Sequence, residues 1–493
     1  MERHLLILAV LCACAIGTFA LQVDEGYALL IDAGSTGSRA FIYALREESE
    51  EGETIARTVN VNKGKKVMNG LSTYVESSPQ EILDYLSPIF VNASAQIPQK
   101  HWKSTQVFIK GTAGMRLLPE ESQEKLWSML VEHLNKDERN PFPIVRENLG
   151  TIDGDSEAYY AALSSNYIAK SIDGNLKRVP GVEMVGALDM GGSSTQVIVH
   201  KSTEKGQAVK AEDFWSYSWL NYGVEKVRER MEERLVAASS SNTVENPCAP
   251  AGHSVLLGRD RGTTLVGSGH AEGCYEALTE VMWEEKSCAA ASYKKSLAED
   301  EPPCYIMGVE HPPLKGKFYA MSVYFYALDA VHQLGQEKIK NWPRPTIRDL
   351  KEAVYKFCAA DWAEAQAWLN RAHRYTQDRN VPNRCVEAMY MVTLLEYGFG
   401  YDLHSRDITF ALNIEGREVE WTLGFVLANV GVRGKEGLNE QVRPSSSASK
   451  VPSSGSSVVV AGLNRARGLM ASFRSLLLSF LSRLAMQRPA TAK

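Results

Sequence analysis

Two stretches of the sequence repeat one pattern: YALLIDAGSTGSR at residues 27–39 and VGALDMGGSSTQ at residues 185–196. Each begins with an apolar run typical of a buried strand, continues through an aspartate and a turn of glycine, serine and threonine, and ends in a second apolar run. The two aspartates, Asp32 and Asp189, lie about one domain length apart. The repeat therefore predicts two similar domains, each containing one strand–turn–strand unit.

The composition of the two turns indicates phosphate binding. Glycine lets backbone N–H groups approach a phosphate without a Cβ atom in the way, and the hydroxyl groups add further donors. An aspartate at the end of the strand is placed to hold a hydrated cation opposite those phosphates. One such turn is also consistent with an ordinary loop, whereas two copies in the same order favour a polyphosphate clamped between two domains. The sequence contains neither a Walker motif nor a dinucleotide-binding fingerprint.

Five motifs, taken in order, resemble those of a known family. They are DAGSTGSR at residues 32–39, GTAGMR at 111–116, the segment that begins at Glu157, DMGGSSTQ at 189–196 and WTLG at 421–424. Over roughly residues 26–430 the chain resembles the apyrases, the ecto-nucleoside triphosphate diphosphohydrolases, and SYSWLNYG at 216–223 also fits the family. The resemblance implies an α/β fold of two actin-like (ribonuclease H-like) domains with a nucleotide cleft between them. We expect residues 25–153 and 411–435 to form domain I and residues 154–410 to form domain II.

The third motif departs from the family pattern. The family has glycine after the glutamate and tryptophan five residues after it, where this chain has Ala158 and Ala162. Glu157, the aromatic residue and the Asn166–Tyr167 pair keep their spacing. We expect altered packing rather than lost chemistry, with consequences for substrate preference and rate.

The resemblance implies an enzyme that hydrolyses nucleoside tri- and/or diphosphates to monophosphate and inorganic phosphate. Glu157 would be the base that activates water, and Ser194 and Gln196 would position that water. Asp32, Asp189 and Trp421 would meet Ca²⁺ or Mg²⁺ through water, because hard cations prefer oxygen ligands. The expected nucleotide and phosphate contacts are Gly34, Ser35, Thr36, Gly37, Ser38, Arg39, Thr112, Ala113, Gly191, Gly192 and Ser193.

Other interpretations of these residues stay open at the level of the sequence. Glu157 could be a surface helix residue, Trp421 could be a core residue, and Arg39 and Arg116 could form structural ion pairs. Aromatic residues of the second domain are eligible to contact the nucleobase, and no choice follows among Tyr324, Phe325 and Tyr375. The alternative functions are a polyphosphate- or sugar-kinase relative on the same fold and a catalytically idle protein that binds carbohydrate or nucleotide.

The charge distribution argues against a nucleic-acid-binding protein. The chain has 54 basic and 59 acidic residues, a net charge of −5. Residues 441–493 contain eight basic residues and no acidic ones, so the remainder of the chain is more acidic than this average. An acidic body that handles polyanions needs metal ions or local donors, and no nucleic acid partner is expected.

The N-terminus and the cysteines indicate the secretory pathway. Residues 1–20 have the polar start, apolar run and small residues of a signal peptide, although an uncleaved anchor is the alternative. The six later cysteines predict three disulfides, for which the sequence alone allows 15 pairings. The family resemblance implies the pairs Cys248–Cys288, Cys274–Cys304 and Cys358–Cys385. A glycosylation sequon begins at Asn92, so we expect a secreted or lumenal glycoprotein.

The C-terminal segment differs from the body in composition. Residues 441–462 are rich in serine and predict a flexible linker. Residues 463–493 predict a basic amphipathic helix. This helix could lie on a membrane surface, or it could dock on the protein itself or on a partner.

Overall fold

The computed structural model describes residues 22–50, 53–201, 208–257, 262–283, 306–369, 373, 376, 378–414 and 417–431. These residues all belong to one structural unit, residues 1–443. The predicted signal peptide, serine-rich linker and amphipathic tail lie outside the described residues, as do Cys288, Cys304 and Tyr375.

The first half of the chain forms a five-stranded sheet. Its strands are β1 (Gln22–Ala33), β2 (Gly37–Glu50), β3 (Glu53–Met68), β4 (Gln106–Gly111) and β5 (Leu149–Thr151). They lie in the order β3-β2-β1-β4-β5, with β1, β2 and β3 antiparallel and β4 and β5 parallel to β1. The apolar run Ala28–Ile31 is fully buried in β1, as expected for a central strand covered on both faces.

A second five-stranded sheet has the same topology. Its strands are β6 (Gly186–Met190), β7 (Ser194–His200), β8 (Phe214–Leu220), β12 (Phe318–Ala320) and β13 (Ile408–Phe410). The order β8-β7-β6-β12-β13 matches the first sheet strand by strand, including the directions of the pairs. This match confirms the predicted α/β class and the structural meaning of the sequence repeat.

The remaining strands form small sheets. Strands β9 (Thr243–Asn246), β10 (Ser254–Leu257) and β11 (Thr263–Gly267) form one sheet, and β14 (Asn413–Ile414) pairs with β15 (Arg417–Glu418). The helices among the described residues are α1 (Pro79–Gln96), α2 (Ala113–Arg116), α3 (Glu120–Leu134), α4 (Gly154–Ile168), α5 (Val224–Ala238), α6 (Ala271–Trp283), α7 (Val323–Leu334), α8 (Ile347–Cys358), α9 (Trp362–Leu369), α10 (Arg384–Thr393) and α11 (Trp421–Asn429). A π-helical turn, Leu394–Gly398, follows α10.

Apolar side chains form three clusters around the two large sheets. One lies between the first sheet and helices α1 and α3, and another lies between the second sheet and helices α5 to α10. The third consists mainly of residues of α4 and α11, together with residues from both sheets. Helices α4 and α11 therefore lie at the junction of the two halves.

The crossing of α4 and α11 depends on Gly424 of the WTLG motif. A Cβ atom on Gly424 would lie 1.8 Å from the carbonyl oxygen of Tyr160, so a larger residue would force the helices apart. Farther along α4, the buried Asn166 side chain accepts a hydrogen bond from the Val185 N–H (2.8 Å) and donates one to the Val185 carbonyl (2.9 Å). These contacts join α4 to α11 and to the segment that leads into β6.

Helix α11 is also tied to the first sheet. The Arg57 side chain of β3 donates hydrogen bonds to the carbonyls of Leu427 (2.7 Å) and Val426 (3.1 Å), which belong to the last turn of α11. A cation at this end of a helix is favourable because the helix dipole is negative there. The Tyr43 hydroxyl of β2 donates to Thr422 Oγ1 at 2.7 Å. These contacts fit a chain that returns to the first half, although the domain boundaries themselves stay predictions.

The structure corrects the expected disulfide pairing. Cys248 is bonded to Cys274, with a Cα–Cα distance of 4.7 Å, so the predicted pairs Cys248–Cys288 and Cys274–Cys304 are both wrong. The reason is the return of the chain after β11, where the Gly269 N–H donates to the carbonyl of Ala249 (3.0 Å) and brings α6 beside Cys248. The predicted bond Cys358–Cys385 is confirmed.

Candidate active site

The two glycine-rich turns have the same backbone geometry. The Gly34 N–H donates to the carbonyl of Gly37 (3.1 Å), and the Gly191 N–H donates to the carbonyl of Ser194 (2.9 Å). The strand-end aspartates also occupy matching positions, because Asp32 pairs with Arg39 and Asp189 pairs with Gln196. The two copies therefore correspond residue by residue.

The turns approach each other closely. A Cβ atom on Gly192 would lie 2.8 Å from Ser35 Oγ and 3.0 Å from Thr36 Cγ2, and one on Gly114 would lie 2.8 Å from Ser35 Cα. A side chain at position 114 or 192 would therefore collide with the first turn, so glycine is needed at both positions for the segments to approach this closely. Motifs one, two and four, which are far apart in sequence, meet around Ser35.

The second turn is anchored to a helix. The carbonyls of Gly191 and Gly192 accept hydrogen bonds from the N–H groups of Val224 (3.1 Å) and Glu225 (3.0 Å), the first two residues of α5. These contacts satisfy N–H groups that a helix start leaves without a partner. They also explain the SYSWLNYG segment, whose last residue, Gly223, comes directly before α5.

Asp32 and Asp189 present carboxylates at the ends of β1 and β6; Asp189 is buried and Asp32 is half-buried. In each, Oδ1 is buried and has no hydrogen-bond partner among the described residues. Burial, followed by the charge of Glu157, raises the pKa of Asp32 to about 7 and that of Asp189 to about 6. Buried carboxylate oxygens without donors fit the water shell of a hard cation.

Direct metal ligation is not seen in the described part of the chain. There, no three side chains of histidine, cysteine, aspartate or glutamate come together in a group that could hold a metal ion. Coordination of a cation through water by Asp32, Asp189 and Trp421 stays a prediction. Trp421 is buried at the start of α11, with its ring edge-on to Phe425.

Glu157 lies at the centre of a buried polar cluster, in contrast to the surface position that its sequence context would allow. Gln196 Nε2 donates to Ser194 Oγ (2.7 Å) and lies 3.3 Å from Glu157 Oε2. Arg116 Nη1 donates to Glu157 Oε2 (2.8 Å), and Arg116 Nη2 donates to Ser194 Oγ (3.2 Å). The structure thus brings together the three residues predicted for catalysis and adds Arg116 as an ion-pair partner.

Arg39 forms the ion pair that the sequence left open. Its Nη1 lies 3.0 Å from Glu420 Oε1 and 3.8 Å from Glu418 Oε1. Glu418 is the last residue of β15, and Glu420, which is buried, comes directly before α11. Contact between Arg39 and a phosphate stays a prediction.

Not every predicted phosphate contact presents its side chain to the turn. Ser38 is fully buried, and its hydroxyl accepts a hydrogen bond from the Tyr85 hydroxyl (2.9 Å). Successive residues of a strand point to opposite faces, so Ser38 and Arg39 diverge. Thr112 lies beside the end of β1, where its N–H donates to the carbonyl of Ala33 (3.3 Å).

Two polar residues of the site were missed from the sequence. Ser218 pairs with Gln196 across β7 and β8, and its hydroxyl accepts a hydrogen bond from Gln196 Nε2 (3.0 Å). In the first sheet, Lys66 is paired with Arg39 in the same way. Although much of the Lys66 side chain is exposed, its Cε would lie 3.2 Å from a Cβ atom on Gly37. Desolvation and the charge of Arg39 lower the pKa of Lys66 to about 8.

The eligible base-contacting residues are not brought together at the site. Tyr324 is fully buried in the core of the second half, and Phe325 packs against Trp342 with ring centroids 6.0 Å apart. The structure therefore selects no nucleobase-contacting residue from this pair.

Comparison with known proteins identifies the family. A model of the GDA1/CD39 (nucleoside phosphatase) family matches residues 19–435. The chain belongs to this family. Its relatives include the nucleoside-triphosphatase ntp-1 of Caenorhabditis elegans, which is 26% identical over 424 residues and covers 81% of this chain and 72% of its own length. The Golgi apyrase of Saccharomyces cerevisiae is 25% identical over 467 residues, covering 82% of this chain and 70% of its own length.

Other relatives and one solved structure agree with this assignment. The nucleoside-diphosphatase mig-23 of Caenorhabditis briggsae is 25% identical over 458 residues, covering 85% of this chain and 80% of its own length. The crystal structure of nucleoside triphosphate hydrolases from Neospora caninum superposes with a TM-score of 0.60 and 14% identity, covering 87% of this chain and 96% of that one. This likeness confirms the expected fold.

Two further observations concern the surface of the protein. Asn92 lies in the interior of α1, partly exposed, and its Oδ1 accepts a hydrogen bond from Gln96 (2.9 Å). Within the residues that the structure describes, no helix has the length and apolar character needed to span a membrane.

Proposed function

We propose that this chain hydrolyses nucleoside triphosphates, diphosphates or both to monophosphate and inorganic phosphate, using a divalent cation and a water activated by Glu157. The observation that carries the proposal is the buried cluster in which Glu157, Ser194 and Gln196 meet beside Arg116. The nucleoside phosphatase family and the names of the relatives support this reaction class.

In the proposed reaction the oxygen of a water bonds to the terminal phosphorus while the phosphoanhydride bond breaks. The Glu157 carboxylate accepts the proton of this water, and the electron pair of the broken bond leaves on the nucleotide. The Gln196 amide and the Ser194 hydroxyl orient the water, since Gln196 Nε2 lies within hydrogen-bond reach of both Glu157 Oε2 and Ser194 Oγ. Arg116 keeps the carboxylate in one orientation through its bond to Oε2.

Asp32 and Asp189 are the residues we propose to hold Ca²⁺ or Mg²⁺ through water. A bound cation neutralises charge on the phosphate oxygens. The unpartnered carboxylate oxygens support this assignment. We expect a chelator to abolish phosphate release, and Ca²⁺ or Mg²⁺ to restore part of it, because the donors are oxygens. Restoration by zinc alone would contradict the assignment.

The variant Glu157→Gln tests the proposed base. The amide keeps the shape of the side chain but cannot accept the proton, so we expect turnover to fall by about 10²–10⁴-fold. Glu121→Gln, on the exposed surface of α3, is the matched control and should retain full activity. A Glu157→Gln enzyme with more than a tenth of wild-type turnover would show that another group is the base.

A substrate panel tests the reaction class. Phosphate release from ATP, ADP, UDP and GDP is expected, and inorganic polyphosphate should be hydrolysed poorly. ATP consumed only in the presence of glucose, with no free phosphate, would instead indicate a kinase relative. Nucleotide binding without turnover would indicate an idle binding protein.

The location and the C-terminal tail are part of the same proposal. The name of the related Golgi apyrase, together with the signal-like residues 1–20, supports the secretory pathway. We propose that residues 463–493 contact anionic membrane surfaces. Deleting residues 445–493 should leave turnover in solution unchanged and reduce co-sedimentation with anionic vesicles, more clearly at low salt. Unchanged sedimentation with a lower melting temperature would favour docking on the protein instead.

A further inference from the structure

Ser218 lies on β8, the edge strand of the second sheet, and contacts two parts of the site at once. In the antiparallel pair of β7 and β8 it is directly opposite Gln196, so the two side chains lie on the same face of the sheet. A Cβ atom on Gly154 would lie 2.3 Å from Ser218 Cβ and 2.5 Å from Ser218 Oγ. Gly154 is the first residue of α4, and Glu157 follows in the same turn. Ser218 therefore packs against both the strand of Gln196 and the helix turn of Glu157.

The Gln196 amide faces three acceptors with only two hydrogens. Its Nε2 lies 2.7 Å from Ser194 Oγ, 3.0 Å from Ser218 Oγ and 3.3 Å from Glu157 Oε2. An amide NH₂ group has two N–H donors, and N–H···O bonds are strongest at about 2.9–3.0 Å or less. The two serine hydroxyls therefore receive the two hydrogens, and Ser218 takes the one that would otherwise go to Glu157.

The neighbours of the amide also decide which of its ends faces the cluster. An ionised carboxylate accepts hydrogen bonds and donates none, so Nε2 rather than Oε1 must face Glu157. Ser194 Oγ accepts from Arg116 Nη2 (3.2 Å) as well as from Gln196, which occupies both lone pairs and leaves its own hydrogen to donate. The direction in which the Ser194 hydroxyl donates thus depends on where the Gln196 amide is held, and Ser218 supplies the second point that holds it.

The matching position in the first half carries a different kind of side chain. There Lys66 stands opposite Arg39, and a lysine ammonium group can donate hydrogen bonds but cannot accept one. An acceptor opposite the middle residue of the row is therefore a property of the half that contains Gln196. This difference links the Ser218 hydroxyl to the role of Gln196 rather than to the shared architecture of the two sheets.

We propose that Ser218 is a positioning residue, whose hydroxyl accepts one hydrogen of the Gln196 amide and so fixes the plane of that amide beside the attacking water. The inference rests on the proposed function, because it takes Gln196 to orient this water. Without the hydroxyl, the second amide hydrogen would turn to Glu157 Oε2, which already accepts from Arg116. The cluster would remain hydrogen-bonded, but the amide would be rotated away from the orientation that directs the water.

The variant Ser218→Ala, made in the full-length protein, tests the inference with the best nucleotide of the substrate panel. We expect kcat to fall by about 10-fold, since small errors in position reduce the rate of a reaction strongly. KM should stay within about twofold of wild type, and the melting temperature should change little, because the released hydrogen still has Glu157 as an acceptor. Ser218→Cys keeps the size of the side chain but offers only a weak acceptor, so it should also lower kcat.

Ser216→Ala is the matched control. Ser216 lies on the same face of β8 as Ser218 but is paired with Ile198, so removing its hydroxyl should leave kcat unchanged. Wild-type kcat in both Ser218→Ala and Ser218→Cys would overturn the inference. So would a lower melting temperature with unchanged kcat, because Ser218 would then have only a structural role.

A double-mutant cycle shows whether Ser218 acts through Gln196. Once the amide is absent, the hydroxyl has nothing to hold, so Gln196→Ala and Gln196→Ala/Ser218→Ala should have the same kcat within about twofold. Losses that multiply in the double variant would overturn the inference and leave the proposed function intact. Wild-type kcat in Gln196→Ala would overturn both the inference and the proposed orientation of the water.

Discussion

Each large sheet has a row of three paired residues, one on each of three neighbouring strands, at matching positions. The side chains of this row are charged in the first half of the molecule and mostly neutral in the second. In the first sheet the row is Asp32, Arg39 and Lys66; in the second it is Asp189, Gln196 and Ser218. Each middle residue reaches the start of the helix that follows the other sheet. Arg39 contacts Glu420 before α11, and Gln196 contacts Glu157 in α4.

The difference between the rows indicates divided roles after duplication. Arg39 forms an ion pair with Glu420, and its charge opposes the rise that burial causes in the pKa of that glutamate. Gln196 offers Glu157 only a neutral amide and bonds at the same time to Ser194 and Ser218. The charged row suits the binding of a polyanion or the joining of two segments, whereas the charge that faces Glu157 comes from Arg116, outside the second row.

Removing the two middle residues should have opposite consequences. Gln196→Ala deletes the donor that orients Ser194 and Glu157, so we expect kcat to fall by about 10²–10³-fold with little change in melting temperature. Arg39→Ala leaves the buried Glu420 without its partner, and the free energy of unfolding should fall by about 3 kcal/mol. Steady-state kinetics and thermal unfolding of both variants make the comparison.

The control for Arg39 is an exposed ion pair in the same half. Lys136→Ala, which removes the exposed partner of Glu132, should change stability by less than about 1 kcal/mol. If Arg39→Ala lost as much kcat as Gln196→Ala at an unchanged melting temperature, Arg39 would act in the reaction step itself and the division of roles would fail.

The two strand-end aspartates should differ in their effect on stability against pH. Their carboxyl pKa values are raised in the folded protein, to about 7 for Asp32 and about 6 for Asp189, so each favours folding at low pH and opposes it at high pH. Between pH 5 and pH 8 in chelator, Asp32 should lower the free energy of unfolding by about 2–3 kcal/mol and Asp189 by about 1–2 kcal/mol.

Asparagine variants isolate these contributions. Denaturant unfolding of Asp32→Asn and Asp189→Asn across this pH range should give flatter profiles than wild type, and the flattening should be larger for Asp32. Equal profiles for the two variants would contradict the expected difference between the pKa values of Asp32 and Asp189.

Lys66 should produce the smallest effect. Its ammonium group has no ion-pair partner among the described residues and lies near Gly37, so it is free to attract a phosphate. We expect Lys66→Gln to raise the KM for nucleotide by about 3–10-fold with kcat nearly unchanged, a loss of about 1 kcal/mol in binding. Lys65→Gln, which changes the neighbouring exposed lysine of β3, is the control. A KM unchanged in Lys66→Gln would remove this residue from the site.

The sequence predicted the repeat, both aspartates and the motif glutamate, because each lies in a local pattern of strand, turn or spacing. It did not reveal Lys66, Ser218 or Glu420, since their contacts depend on the register between strands and on where the chain returns. The wrong pairing of Cys248 arose similarly from a family expectation that local geometry around β11 overrides.

The close crossing at Gly424 has a mechanical consequence. Helix α4 carries Glu157, the proposed base, on one side of the crossing, and α11 carries Trp421, directly after Glu420, on the other. The two helices are in close contact where Gly424 meets the Tyr160 carbonyl, and there is no space for a side chain at position 424. A side chain inserted there would tilt both helices, and an error of about 1 Å in the position of a reacting group can cost about a hundredfold in rate. In the proposed reaction, the position of Glu157 relative to the water would therefore depend on the absence of a side chain at position 424, far along the chain from Glu157.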